Sequence, residues 1–277
     1  MYPVNRYHTN GFGSPIRVMT ESRACKLADR VQALRKTKPE LSERAFATNC
    51  HFLFPWLHEL AHIPELLDEV ERVIGSDIML WSAGFFIKDP GSNNFVSWHQ
   101  DSTYWGLEPP EIVTAWVAFT PSTSESGCVQ VIPGSHRRGQ LAHSDKFTED
   151  NMLSRGQEIE VDIRGEDVVD LVLNPGEMSL HHVRIFHGSG LNRSNITRIG
   201  FAMRFIPDYV CQKGGRTFAE LVRGEDHFKN FDTPTPPSVE LGKEEWSMHQ
   251  ESLIRLNKII FHDSDQPSKK NGHETSN

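Results

Sequence analysis

The sequence predicts an α+β protein, with helices leading into a β-sandwich core of the jelly-roll kind. Before Gly75, apolar residues recur at helical spacing. After it, short apolar runs alternate with clusters of Gly, Pro, Asn and Ser. The 16 Phe and 6 Trp suit a packed, β-rich interior.

The elements follow in order. Residues 1–15 read as an extended arm with a turn at Gly11–Pro15. A helix is predicted from Thr20 or Glu21 to about residue 36, because Ala24, Leu27, Val31 and Leu34 share a face and Thr20 suits an N-cap. Trp56–Ile74 reads as a second helix, with Leu57, Leu60, Leu67, Val70 and Ile74 on one side and Pro64 as a possible break. Strands are predicted over Ile78–Ile87, Ile112–Thr120, Val129–Ile132, Val168–Leu173, Glu177–Phe186 and Arg198–Ile206. Further on, Phe218–Val222 and Glu244–Ile260 are expected to be helical. No internal linker is visible, so residues 1–262 read as one domain and the polar 263–277 as a disordered tail.

Composition excludes several classes. The hydrophobic fraction of 37% and charged fraction of 24% fit an ordinary globular protein of 277 residues. With a net charge of −8 and no Lys/Arg run, a nucleic-acid partner is not expected. Neither a leader-like apolar run at the N-terminus nor a membrane-length apolar stretch is present, so no membrane association is expected. Cys25, Cys50, Cys128 and Cys211 are scattered without a Cys-x-x-Cys pair, which fits a reduced, cytoplasmic setting. The sequons at Asn192 and Asn195 are read as chance matches.

The chemistry centres on Trp98-His99-Gln100-Asp101. In extended chain, residues i and i+2 point the same way, so His99 and Asp101 can aim an imidazole and a carboxylate at one point. His187, before a Gly-rich turn in Phe186-His187-Gly188-Ser189-Gly190, is the third candidate ligand. Two imidazoles and a carboxylate form the facial set that leaves positions open on Fe(II). Each residue alone is more simply read as a surface hydrogen bond or a packed histidine. Arg198 changes that balance: it follows His187 across a turn, and a returning strand brings it back as a bidentate clamp for a carboxylate such as the distal one of 2-oxoglutarate.

These residues resemble the phytanoyl-CoA dioxygenase family of Fe(II)/2-oxoglutarate-dependent oxygenases. The resemblance rests on WHQDSTYW (98–105), AWVAF (115–119), GCVQVIPGSH (127–136) and FHGSGLNRSNITRIGFAMRFIP (186–207), and on an opening NGFGSPIRV followed by a helix. It implies a double-stranded β-helix, a jelly-roll or cupin-like barrel with flanking N-terminal helices. It implies His99, Asp101 and His187 as iron ligands, and Arg198 and Ser189 as holders of 2-oxoglutarate. Thr114 and Trp116 match a strand that lines the co-substrate pocket in relatives. Because Asp101 is present, hydroxylation rather than halogenation is implied.

The expected function is a dioxygenase that hydroxylates a small, polar metabolite. Candidates are a phosphonate such as 2-aminoethylphosphonate, an amino acid or a natural-product intermediate. Two alternatives stand beside it: a non-catalytic jelly-roll binding protein, and a zinc hydrolase with the same triad. His136 reads as part of a structural turn, His181 as a packed histidine, and Lys88 as a solvated lysine at a strand end. Ser102–Trp105, Arg184, Asn192 and Arg193 are possible pocket residues by sequence proximity. Oligomeric state is not readable.

Overall fold

The computed structural model describes residues 4–163 and 167–262; the expected tail, 263–277, lies outside them. The chain opens with α1 (Val4–Asn10) and β1 (Phe12–Arg17), followed by α2 (Glu21–Thr37), α3 (Pro39–Ala47), α4 (Pro55–Ala61) and α5 (Pro64–Ile74). The expected arm is therefore a helix and an edge strand: Tyr7 is buried, and Phe12 and Ile16 also face inward. Thr20 caps α2 by accepting from Arg23 N at 3.2 Å. Pro64 opens α5 rather than kinking one long helix, because a proline's missing N–H costs nothing in a first turn.

After Gly75 the chain forms β2 (Ile78–Lys88), β3 (Val96–His99), β4 (Leu107–Glu108), β5 (Val113–Ala118), β6 (Val129–Val131), β7 (His143–Asp145) and β8 (Gln157–Ile159). It continues with β9 (Val169–Leu171), β10 (Glu177–His182), β11 (His187–Ser189), β12 (Arg198–Pro207), β13 (Cys211–Gln212), β14 (Glu220–Arg223) and α6 (Lys243–Ile260). All six expected strands are present. The expected helix at Phe218–Val222 is not: Glu220–Val222 belongs to β14, which pairs with β2 and gains sheet hydrogen bonds a single helical turn could not supply.

The larger sheet has the order β1-β10-β5-β12-β2-β14 and the smaller one β3-β11-β6-β9, with antiparallel pairing in both. Helices before the barrel and two facing antiparallel sheets make this an α+β fold built on a double-stranded β-helix. Side-chain alternation sorts the larger sheet into two faces. Ala83 and Phe85 of β2, Ala115 and Val117 of β5, and Ile199, Phe201, Met203 and Phe205 of β12 join Leu57, Leu60, Leu66 and Val70 in one apolar cluster. The opposite face meets the smaller sheet through Trp116, Ala118 and Ala202 against Val129, Val131 and Leu171. No helix among the described residues is long and apolar enough to cross a membrane. All four cysteines are unpaired.

Candidate metal centre and the cavity beneath it

β3 and β11 pair so that His99 lies directly opposite His187. Their rings are 4.0 Å apart between centroids. Asp101 follows β3 at the start of a short 3-10 turn. Its Oδ1 lies 3.3 Å from His99 Nε2 and 3.8 Å from His187 Nε2. One ligand atom from each of the three residues falls within 4.8 Å of the others. Each histidine donates Nδ1–H to a backbone carbonyl: His99 to Ser97 O at 2.8 Å and His187 to Ile185 O at 3.0 Å. That fixes the tautomer and leaves both Nε2 lone pairs turned toward Asp101.

Electrostatics favour the same assignment. Burial pushes His187 down to about 3, and the neighbouring His99 adds to the shift, so its ring is neutral. Burial alone would raise Asp101, but His187, His99 and Arg204 hold its carboxyl well below the usual range. Two imidazoles and one carboxylate are a donor set suited to a divalent transition metal with open positions. Of two other groupings of metal-ligating residue types among the described residues, His58, His62 and Glu220 tie α4 to β14, with His58 Nε2 and Glu220 Oε1 at 2.5 Å. In the second, His227 Nδ1 pairs with Asp208 at 2.9 Å on the surface.

The inward face of the larger sheet supplies the floor. A small cavity is lined by His99, Asp101 and His187 together with Thr114, Trp116, Ser189 and Arg198. The three expected iron ligands and the four residues expected around 2-oxoglutarate thus border one space. Thr114 lies at its metal end and donates to Asp101 Oδ2 at 3.4 Å. The Arg198 guanidinium lies 5.2 Å from the centre of the Trp116 ring. Arg198 Nη1 donates to Ser189 Oγ at 3.2 Å and to Gly127 O, while Nε is buried without a partner. The Ser189 hydroxyl donates to Gly127 O at 2.7 Å, so its proton is held by the backbone.

Lys88 corrects the sequence reading. It is fully buried, directly opposite Arg198 in the β2–β12 register. Its Nζ donates to Ser189 Oγ at 2.6 Å, to Ser189 O at 3.1 Å and to Gly190 O. Burial lowers Lys88 to about 6 and Arg198 to about 10, and Arg198 pushes Lys88 further down. A desolvated guanidinium with no salt bridge and an orphaned N–H, backed by a buried lysine, fits a site that receives an anion.

Other sequence neighbours fall elsewhere. Arg193 is exposed, and Asn192 is spent on the turn, donating to Lys88 O at 2.9 Å and Ile196 O at 2.8 Å. Arg184 does not border the cavity, and its carbonyl accepts from Gln100. Of Ser102–Trp105, Trp105 borders an adjoining outer cavity. Tyr104 is held by Asp145 at 2.8 Å and covered by Arg155. His136 supports the N-terminal turn, its Nε2 bonded to His8 O at 3.1 Å. His181 is not on the strand of His187: the chain crosses between the sheets at Val183–Phe186, and β11 belongs to the smaller one. Its ring still lies 5.2 Å from that of His187 and borders the cavity. Arg204, on the same inward face as Arg198, also borders the cavity and was missed. Alternation along Arg198-Ile-Gly-Phe-Ala-Met-Arg204 was the signal that could have found it.

The chain is similar to known proteins. The curated relatives include a probable α-ketoglutarate-dependent hypophosphite dioxygenase of Stutzerimonas stutzeri, 29% identical over 161 residues, covering 56% of this chain and 55% of that protein. A probable phytanoyl-CoA dioxygenase of Caenorhabditis elegans is 27% identical over 165 residues, covering 57% and 53%. The chain thus spans about half the length of the curated relatives it matches. Among solved structures, the non-heme monooxygenase ThoJ in its apo form superposes with a TM-score of 0.83 at 30% identity, over 93% of this chain and 97% of that one. The family model described as phytanoyl-CoA dioxygenase (PhyH) matches residues 7–200, which takes in the triad together with Lys88, Thr114, Trp116, Ser189 and Arg198. The chain belongs to the phytanoyl-CoA dioxygenase family.

Proposed function

We propose that the protein is a non-haem Fe(II), 2-oxoglutarate-dependent oxygenase that hydroxylates a small polar molecule. The observation that carries this reading is the shared cavity: a triad of two imidazoles and a carboxylate at one end, and Arg198 with Ser189, backed by Lys88, at the other. His99, Asp101 and His187 would hold the metal. Arg198 would take the distal carboxylate of 2-oxoglutarate, drawing on the Nε–H that the protein leaves unpaired. Lys88 positions the Ser189–Gly190 turn beneath it. Bound together, the metal and the keto acid would supply dioxygen activation coupled to decarboxylation of the keto acid. Trp116, Phe86 and the apolar inward residues of both sheets keep bulk water from that space.

The metal reading is supported by ThoJ, 27% identical in its nickel complex, and the co-substrate reading by the relative described as α-ketoglutarate-dependent. A zinc hydrolase would leave Arg198 and Lys88 buried at a cost and without use. Candidate substrates remain a phosphonate such as 2-aminoethylphosphonate, an amino acid or a natural-product intermediate; the hypophosphite-dioxygenase relative favours the phosphorus oxyanions.

The test is an anaerobic visible spectrum of Fe(II)-loaded protein before and after 2-oxoglutarate. A new charge-transfer band is expected, because the keto acid chelates protein-bound iron. Demonstrated metal binding with no band would point to a hydrolase or a binding protein.

A further inference from the structure

The outer end of the cavity holds a second arginine that the proposed chemistry does not use. Arg204 lies opposite Thr114 in the β12–β5 register, and Thr114 lies opposite His181 in the next pair. The row of inward residues that contains Arg204 is therefore the row nearest the metal triad. Its guanidinium sits 5.8 Å from the centre of the Phe86 ring and 5.6 Å from that of Trp105. Its hydrogen bond is a long one, Nη1 to Ala202 O at 3.4 Å, and Nε is buried without a partner.

The half-buried Arg204 thus differs from other buried and half-buried arginines of the chain. Arg155, 5% exposed, directs both Nε and Nη2 at Asp145. The half-buried Arg35 meets both oxygens of Asp89, at 3.0 and 2.6 Å. Arg198 and Arg204 form no salt bridge among the described residues, and both face inward from β12; the one carboxylate whose charge reaches Arg204 is Asp101, which the metal would engage. Since Arg198 is accounted for by 2-oxoglutarate, Arg204 calls for an anion of its own.

The space beside it is shaped for a guest. An outer cavity adjoins the first, and the two share Phe86, Asp101 and Arg204 in their walls. Asp101 is the only carboxylate lining that outer space, where Arg44 adds a further positive charge. The β2–β12 register shifts between Arg204, opposite Ser82, and Phe205, opposite Leu80, leaving Trp81 as an extra residue that borders the outer cavity. Trp81 and Trp105 stand 5.1 Å apart between ring centroids, and α6 closes the far side through Leu253, Leu256 and Ile260.

Resting on the oxygenase reading above, we propose that Arg204 is the substrate's anion anchor. It receives the carboxylate or phosphorus oxyanion of a small organic acid, and Trp81 and Trp105 flank the body of the molecule. A carbon close to the acid group is thereby presented to the His99–Asp101–His187 centre.

The test is calorimetric titration of the anaerobic Fe(II)- and 2-oxoglutarate-loaded enzyme with four probes: acetate, methylphosphonate, 3-phenylpropanoate and the neutral 3-phenylpropanamide. The phenylpropanoate is expected to bind saturably, at least about tenfold more tightly than the amide of the same shape. Arg204→Met should erase that preference and Arg204→Lys should keep part of it, with the 2-oxoglutarate charge-transfer band retained in both. Failure of all three anions to saturate the wild-type protein would overturn the proposal, as would equal binding of acid and amide. A 2-oxoglutarate affinity that collapses in Arg204→Met while the acid preference survives would assign Arg204 to the co-substrate instead. If the wild-type protein shows no charge-transfer band, the oxygenase reading fails, and the same four titrations on metal-free protein still decide the role of Arg204.

Discussion

The two faces of β12 are built on opposite terms. Toward the helices it presents Ile199, Phe201, Met203 and Phe205, all fully buried in one apolar cluster. Toward the cavity it presents Arg198, Gly200, Ala202 and Arg204: two arginines without a salt bridge, separated by the two smallest side chains. The first face is held by buried hydrocarbon area, which tolerates exchange among residues of similar volume. The second is specified by charge and by free space. One strand thus keeps stability and chemistry apart by the period-two alternation of its backbone.

The sharpest break on the cavity side comes at Asp101, which completes it from beyond the smaller sheet. Asp101→Ala removes the only anionic member of the triad, and turnover should fall to background while the far-UV circular dichroism spectrum stays native. Bound iron per chain and 2-oxoglutarate consumption are the measurements, and wild-type turnover would remove Asp101 from the site. Next, Arg198→Met should weaken 2-oxoglutarate binding by roughly a hundredfold or more, since a desolvated carboxylate would lose its partner. An unchanged requirement for 2-oxoglutarate would place the clamp elsewhere. On the helix-facing side, Phe201→Ala should cost about 3–5 kcal/mol of stability in urea denaturation, with 2-oxoglutarate affinity preserved in the folded protein. If that substitution instead damages affinity with little loss of stability, the division between the faces is wrong.

The smallest effect is a pH slope at Lys88. Its folded value near 6 lies below the roughly 10.4 of an exposed lysine. Between those values the unfolded chain holds the extra proton, so this group makes stability rise with pH across that window. Lys88→Met should flatten the difference between urea midpoints taken at about pH 6.5 and 8.5. Identical slopes in variant and wild type would mean that Lys88 is charged and compensated in the fold.

The same alternation explains what the sequence made legible. His99 and Asp101 are two apart, so their convergence could be read locally, and Arg198 returns on the strand after His187. The N-cap at Thr20 and the six main strands were likewise written in local pattern. What local pattern lacked was the partner across the sheet. Lys88 looked solvated because a lysine at a strand end usually is; it is buried because β12 lays Arg198 beside it and the Ser189–Gly190 turn offers it three oxygens. β14 looked helical because its sheet bonds come from β2, far away in sequence. Arg204 was overlooked although it shares a face with Arg198, since nothing in the sequence says which arginines will lack a carboxylate. The crossing at Val183–Phe186 was hidden in one continuous apolar run, because a change of sheet leaves no mark on hydropathy.

Gly200 sits under the Trp116 ring, and a Cβ built there would meet ring carbon Cζ2 at 1.8 Å. No flexible chain end can yield, because the obstacle is a rigid indole beside Arg198. Positions 200 and 116 are therefore bound together in any line of descent from this sequence. A side chain enters at 200 only after the indole at 116 has given way to something smaller, and the reverse order passes through a misfit. Lineages that keep the tryptophan inherit the glycine with it.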